Sequence, residues 1–168
     1  MLLSRLLVLL LLLVLAACAG QPDEPSFYRD LAKPGARLDA AAAASMISGY
    51  RTNNGLPAVT LDPELTAMAQ AQAEIMARRD RLERDAKKPF VKRLGAAGYH
   101  AKAAVENVGA GYHTLAEAFS GWRQSNSHRA NMLLAGATRM GIAAVYTPAS
   151  KYKVYWALIL AEPVEKKG

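Results

Sequence analysis

The sequence predicts an α+β domain, because helix signals occupy most of the chain and strand signals follow near its C-terminal end. Apolar residues recur at helical spacing over the first half, and Thr114 with Glu117 forms a capping box that starts a later helix. Two segments rich in β-branched and aromatic residues, MGIAAVYT and KVYWALIL, then predict an antiparallel hairpin. Helices followed by strands are typical of this class.

The N-terminal segment 1–17 predicts a secretory signal peptide. A single positive residue, Arg5, precedes an apolar run from Leu6 to Val14 that is too short to span a bilayer. Small residues at Ala16 and Ala17 suit a processing site. We therefore expect the mature chain to be exported.

Cys18 is the predicted lipidation site. Residues 15–18, Leu-Ala-Ala-Cys, resemble the bacterial lipobox, in which the cysteine receives acyl chains such as palmitate that hold the protein to a membrane. Because Cys18 is the only cysteine, the chain has no intramolecular disulfide and no cysteine-ligated zinc. The alternative is a free structural cysteine.

Composition predicts the domain organisation and its charge. Segment 18–37, rich in Pro, Gly and charge, predicts a flexible tether; 38–163 predicts one folded domain and 164–168 a charged tail. The formal charge of +7 becomes 7 − 1 = +6 without Arg5, which favours anionic neighbours. Nucleic acid is excluded as a partner, because export separates it from the chain and the basic residues are interleaved with acidic ones.

Local signals predict the helices in order. The first begins at Asp39 and ends near Asn54, and the longest is capped by Asp62, has Pro63 at its first position and continues to Leu82. A shorter helix is expected over 89–97.

The region after the capping box contains a further helix signal. The helix that begins after Thr114 leads to a break at 124–126, where Ser127 is expected to cap a short helix, HRANMLL, that ends near Ala135. Trp122 and Trp156 are predicted core residues.

The order of several motifs resembles the bacterial branch of the CAP superfamily, which comprises cysteine-rich secretory proteins, antigen-5 and pathogenesis-related-1 proteins. The motifs that carry it are ISGYRTNNGLPAVTLDPELTAMAQAQAEIMA, RLGAAGY, VENVGAG, W-x-x-S-x-x-H-R-x-N-M-L, RMGIAAVY and YWALIL. The resemblance covers about 39–161. It implies a three-layer α-β-α sandwich with a small antiparallel sheet between helices, to which the segment Tyr99–Val108 supplies sheet or cleft-edge backbone.

The resemblance also implies a cleft, which in many family members holds two histidines and one or two glutamates, sometimes with a divalent metal. Glu106 and His128 match two of these positions, but Arg84 stands where the second histidine is expected. Because guanidinium has no lone pair to donate to a metal, we expect no metal and no other cofactor. Arg84 or a neighbouring basic residue is expected to form an ion pair with Glu106 instead.

Each cleft residue also has a simpler interpretation. His128 follows a cap serine and could bond backbone at a helix start; Glu106 could lie in a surface loop. Ser125 is assigned to the cleft as a backbone junction rather than a nucleophile, because no oriented acid is apparent behind His128. Asn131 is expected to tie neighbouring loops by hydrogen bonds.

Two further histidines, His100 and His113, could repair a metal site, although the resemblance gives no consistent ligand there. Glu117 could act as a second carboxylate beside Glu106 in acid-base chemistry, but the capping box explains it better.

Three functions follow as hypotheses. The first is a lipid-anchored binding protein of the bacterial envelope that takes an apolar, lipid-like, cell-wall or anionic ligand. The second is a metal-assisted hydrolase, and the third is a non-catalytic protein-interaction module. Because Ala19 rather than aspartate follows Cys18, the outer membrane, facing the periplasm, is the expected location.

Overall fold

The computed structural model describes residues 24–82 and 89–164. The predicted signal peptide, Cys18 and Arg84 lie outside these residues, as do the start of the predicted tether and residues 165–168 of the predicted tail. None of the helices in the described segments combines the length and the apolar character needed to cross a membrane.

Helices predominate in the first half of the described chain, and two more follow in the second half. After a short 3₁₀ turn at Ser26–Tyr28, the described residues form five α-helices: α1 Ala40–Thr52, α2 Pro63–Arg79, α3 Phe90–Ala96, α4 Leu115–Gln124 and α5 Asn126–Met132. The predicted helices are therefore confirmed, with differences at their ends.

Four strands form one sheet in the described residues: β1 Thr60–Leu61, β2 Ala101–Ala110, β3 Arg139–Tyr146 and β4 Val154–Pro163. Their spatial order is β1-β3-β4-β2. The predicted hairpin is confirmed as the antiparallel pair β3–β4, and β2 is antiparallel to β4. The expectation of an antiparallel sheet is wrong at one edge, where β1 pairs with β3 in parallel. A parallel pair needs a long crossover connection, and the helices between β1 and β3 supply it.

Strand β4 is the centre of the domain. Its even-numbered side chains from Val154 to Leu160 pack in a core layer with α1, α4 and α5. Its odd-numbered side chains from Tyr155 to Ala161 pack in a second layer with α2 and α3. Alternate residues of a strand point to opposite faces, so the sheet is covered by helices on both sides. This confirms the α+β class and the three-layer α-β-α sandwich.

The predicted helix caps explain where two helices begin. The Asp62 carboxylate accepts hydrogen bonds from the backbone N–H groups of Glu64 and Leu65 at the start of α2. Thr114 and Glu117 form both bonds of the capping box at the start of α4. Helix α2 ends at Arg79 rather than at Leu82, because Asp80 has a left-handed backbone with φ of 47°.

The prediction that Ser127 caps the short helix is wrong. Helix α5 begins at Asn126, so Ser127 lies inside it, and the residue at the cap position is Ser125. Ser125 has an extended backbone that ends α4, and its carbonyl accepts the first helical bond, from Arg129 N–H at 2.8 Å. The helix ends at Met132, earlier than predicted.

Arg51, at the end of α1, is fully buried in the core. Its guanidinium donates to four backbone carbonyls at 2.7–3.0 Å, those of Pro57, Met132, Leu134 and Ala137. Burial lowers the pKa of Arg51 from its usual value. One side chain thus ties α1 to the end of α5 and to the loop that follows it.

Both predicted tryptophans are also fully buried, as expected.

Gly141 allows β3 to approach the start of α2. A Cβ atom at this position would lie 2.1 Å from the backbone carbon of Leu65 and 2.3 Å from the backbone nitrogen of Thr66. Contacts this short involve main-chain atoms that cannot rotate away, so only glycine fits.

Candidate functional site

Glu106 lies in the middle of β2, opposite Ile159 of β4. Strand alternation places its side chain on the same face as Val108, which packs in the core layer of α2 and α3. The residue is 3% exposed. A carboxylate this deep in the protein needs a partner, because an unpaired buried charge is strongly destabilising.

Arg93 of α3 supplies that partner. Its Nη2 atom lies 2.7 Å from Glu106 Oε2, and the two side chains are 12% and 1% exposed. The Arg93 guanidinium also lies 5.4 Å from the centre of the Phe90 ring. A short charge-assisted bond with little exposure makes this a buried ion pair rather than a surface contact.

Arg84, the residue expected in this role, lies outside the described residues. Arg93 was not singled out. A usable signal existed, because Phe90, Arg93 and Leu94 lie three and four positions apart and so share one face of the predicted helix. Leu94 is buried and Phe90 is half-buried, which shows that this face is turned to the sheet.

The described residues do not fit a bound metal ion. Glu106 Oε2 is held by a guanidinium, which has no lone pair to share. Within residues 24–82 and 89–164, no group of three or more His, Cys, Asp or Glu side chains is placed to hold an ion.

Asparagine side chains join α5 to β2 beside Glu106. Asn131 Nδ2 donates to the backbone carbonyl of Glu106 at 3.2 Å and to Asn107 Oδ1 at 2.8 Å. Asn107 Nδ2 in turn donates to the backbone carbonyl of His128 at 2.9 Å. The structure therefore brings Glu106, His128 and Asn131 to one edge of the sheet. Asn131 ties a helix to a strand, rather than two loops as expected.

Ser125 lies one step away from this network. Its Oγ atom is 3.3 Å from Ser127 Oγ, at the junction of α4 and α5. Its backbone starts the helix that carries His128 and Asn131, so its contribution to the site is the direction of that helix.

A cleft of about 250 Å³ opens beside Glu106. It is lined by residues of α3, β2 and α5, namely Pro89, Phe90, Val91, Ala104, Val105, Glu106 and Asn131. Most of these residues are apolar, and Val91 is 73% exposed at the rim.

A larger cavity of about 740 Å³ lies at the N-terminal end of β2, and its lining includes Tyr99, His100, Asp62 and Arg139. The Tyr99 hydroxyl donates to Asp62 Oδ2 at 3.1 Å. Burial, together with the negative charge of Asp62, raises the pKa of Tyr99 to about 12. His100 thus lines this cavity rather than the cleft.

His113 lies near the start of α4. Its backbone N–H donates to the Glu117 carboxylate, and its carbonyl accepts from Leu31 N–H. Glu117 is likewise used by the capping box.

Comparisons with known proteins agree with the fold. The sequence model of the cysteine-rich secretory protein family, CAP, matches residues 44–160, which is more than half of the chain. No curated protein matches the sequence.

Solved structures share the fold. An outer surface protein of Borrelia burgdorferi is 15% identical with a TM-score of 0.67, over 77% of this chain and 99% of that one. An extracellular SCP-domain protein of Bacillus anthracis is 20% identical with a TM-score of 0.60, over 72% of this chain. A cysteine-rich secretory protein of Staphylococcus aureus is 18% identical with a TM-score of 0.63, over 77% of this chain. The matches span only 39% and 40% of the Bacillus and Staphylococcus chains.

Proposed function

Because the chain belongs to the CAP family of cysteine-rich secretory proteins, we propose that it is a lipid-anchored binding protein of the bacterial envelope. Its anchor is the acylated Cys18, and its ligand is apolar, lipid-like or part of the cell wall. The lipobox-like residues before Cys18 support the anchor. Five of the seven residues that line the cleft beside Glu106 are apolar, which favours a lipid-like ligand.

One observation carries the proposal: the carboxylate of Glu106, which lines the cleft, is paired with Arg93. The pair neutralises the formal charge of the carboxylate and engages its Oε2 atom. An acyl chain that enters between Phe90, Val91 and Ala104 therefore meets apolar side chains and a compensated charge. Burying apolar ligand surface there is favourable by about 25 cal/mol per Å² removed from water.

The same pair argues against the hydrolase hypothesis. Glu106 is the carboxylate of the cleft that would have to act as a base or hold a metal, and Arg93 binds it at 2.7 Å. A general base must reach the proton that it removes, and this carboxylate is 1% exposed. The protein-interaction module remains the alternative.

We further propose the outer membrane, facing the periplasm, as the location. The support is the residue after the predicted lipidation site, Ala19, where aspartate is associated with retention in the inner membrane.

The test uses full-length protein extracted from membranes. Mass spectrometry of the N-terminal peptide should find acyl groups on Cys18, and organic extraction of the folded protein should release a lipid. Ala104→Phe places a ring in the cleft and should abolish lipid recovery. Ala97→Phe adds the same ring at an exposed position outside the cleft and should leave recovery unchanged.

Three outcomes contradict the proposal. Equal lipid recovery from the Ala104→Phe and native chains would show that the cleft is not the binding site. An N-terminal peptide without acyl groups would remove the anchor. Tightly bound zinc that is lost in His128→Ala would favour the hydrolase hypothesis.

A further inference from the structure

The C-terminal end of α2 is fixed against the β3–β4 connection by a hydrogen-bonded cluster. The Asp80 carboxylate accepts bonds from the hydroxyls of Ser150 and Tyr155, the latter at 2.5 Å. Ser150 is buried and also accepts from Tyr152 N–H at 2.9 Å. Helix end and connection therefore form one rigid surface, which we call the basic end and define as residues 74–81 and 147–153.

The basic end has an excess of positive charge. Its cations are Arg78, Arg79, Arg81, Lys151 and Lys153, and its anions are Glu74 and Asp80, so its formal charge is 5 − 2 = +3. Arg78, Arg79, Arg81 and Lys151 are exposed. The Lys151 ammonium lies 4.7 Å from the centre of the half-buried Tyr152 ring. Exposed cations beside tyrosine are typical of surfaces that meet lipid headgroups.

The N-terminal segment enters the domain at this same end. Leu31 N–H donates to the His113 carbonyl at 2.7 Å. Gly111, which lies two residues before His113, donates its N–H to the Val154 carbonyl at 3.0 Å, at the base of the β3–β4 connection. Leu31 lies thirteen positions after Cys18, so the two residues are at most about 45 Å apart when the chain between them is fully extended. An anchor on Cys18 thus holds the basic end close to the membrane.

We propose that the basic end docks on the anionic phospholipid headgroups of the membrane that carries the anchor. This inference rests on the proposed lipidation of Cys18. A tether of at most about 45 Å lets the patch reach the lipid surface, and cations that come within a Debye length of an anionic surface are drawn to it. Docking in this orientation turns the cavity of Tyr99 and His100, at the opposite end of the sheet, away from the membrane.

The experiment uses the full-length, membrane-extracted chain, reconstituted in phosphatidylcholine vesicles with or without phosphatidylglycerol. An environment-sensitive dye is attached at Ala149→Cys, an exposed position within the basic end, or at Ala97→Cys, an exposed position at the opposite end. The native chain, treated with the same dye, controls for reaction at Cys18.

Docking predicts a dye response at position 149 that requires phosphatidylglycerol and is reversed by salt, with no response at position 97. Arg78→Gln with Lys151→Gln should lower the ratio of docked to undocked protein roughly 25-fold, about fivefold for each charge removed. The matched control, Lys102→Gln with Arg139→Gln, removes two charges at the opposite end and should leave the ratio unchanged.

A response at position 97 instead of 149, no dependence on anionic lipid, or equal effects of the two double variants would each overturn the inference. Failure of the anchor is detected separately: the chain then carries no acyl groups and is not retained by the vesicles. In that case the same dyes report binding of added vesicles, so docking is still tested.

Discussion

Two arginines hold two different regions of the molecule together, and they do so with different partners. Arg51 is fully buried and is bound by four backbone carbonyls. Arg93 is bound by the carboxylate of Glu106, which lines the cleft. The first region joins α1 to the loop after α5, and the second joins α3 to β2.

The difference lies in what remains when the arginine is removed. Loss of Arg51 leaves carbonyl groups without a donor, and no second substitution can delete main-chain carbonyls. Loss of Arg93 leaves a buried carboxylate, which a second substitution can delete. The Arg51 region is thus fixed by the fold itself, whereas the cleft depends on a pair of side chains that can be exchanged together.

The largest effect is expected for Arg51→Met. The carbonyls of Pro57, Met132 and Ala137 lose the guanidinium donor, whereas the Leu134 carbonyl keeps its bond from Ala137 N–H. An unsatisfied buried acceptor costs about 1–3 kcal/mol, so the free energy of unfolding should fall by about 4 kcal/mol or more. Urea denaturation followed by fluorescence of the buried Trp122 and Trp156 measures this change. Arg123→Met, at an exposed position on α4, is the matched control and should change stability by less than about 0.5 kcal/mol. A comparable loss in both variants would show that the four bonds are unimportant.

A smaller loss, of about 3 kcal/mol, is expected for Arg93→Met, because the Glu106 carboxylate stays buried without this partner. Adding Glu106→Leu should restore stability to within about 1 kcal/mol of the native protein, since both charges are then gone. The same urea titration, run as a double-mutant cycle, measures the coupling.

Lys92→Met, on the exposed side of the same helix, serves as the control for Arg93→Met. The comparison between the two regions breaks down if the double variant is no more stable than Arg93→Met. The cleft would then depend on Arg93 in the way that the core depends on Arg51.

The smallest effect on stability is expected for Asp80→Asn, which removes an exposed charge. Hydrogen bonds from Ser150 and Tyr155 lower the pKa of Asp80 below its ordinary value of 3.8. A carboxylate with a lowered folded pKa stabilises the protein above the unfolded pKa, and this contribution is lost as the pH falls through the folded value. When the pH falls below 3.8, the Asp80→Asn variant should therefore lose less stability than the native chain.

Urea midpoints measured across the acid range test this prediction. Asp30→Asn changes a surface carboxylate that pairs with Lys33 and provides the control. Identical acid profiles for Asp80→Asn and the native protein would contradict the proposed contribution of the cluster.

Most helices could be predicted from the sequence, because their signals are local. Asp62 and Thr114 bond to backbone within three residues of themselves, so spacing alone identifies them. Ser127 was mistaken for a cap because two serines stand close together, and only the extended backbone of Ser125 decides between them.

Strand β2 and the ion pair could not be predicted from local patterns. Residues 106–109 are all buried, so the strand shows no alternation of apolar and polar side chains. Its placement came from the family resemblance. Arg93 meets Glu106 because α3 packs against β2, and that crossing depends on tertiary contacts rather than on sequence spacing.

The central strand has a consequence for the order of folding. Strand β4 supplies side chains to both core layers, yet it is the last element of the described chain. Neither layer can close until residues 154–163 are available, because β2 and β3 have no other common neighbour in the sheet. If the chain is exported N-terminus first, as proposed, it should stay open during most of its passage and fold only when its final strand emerges.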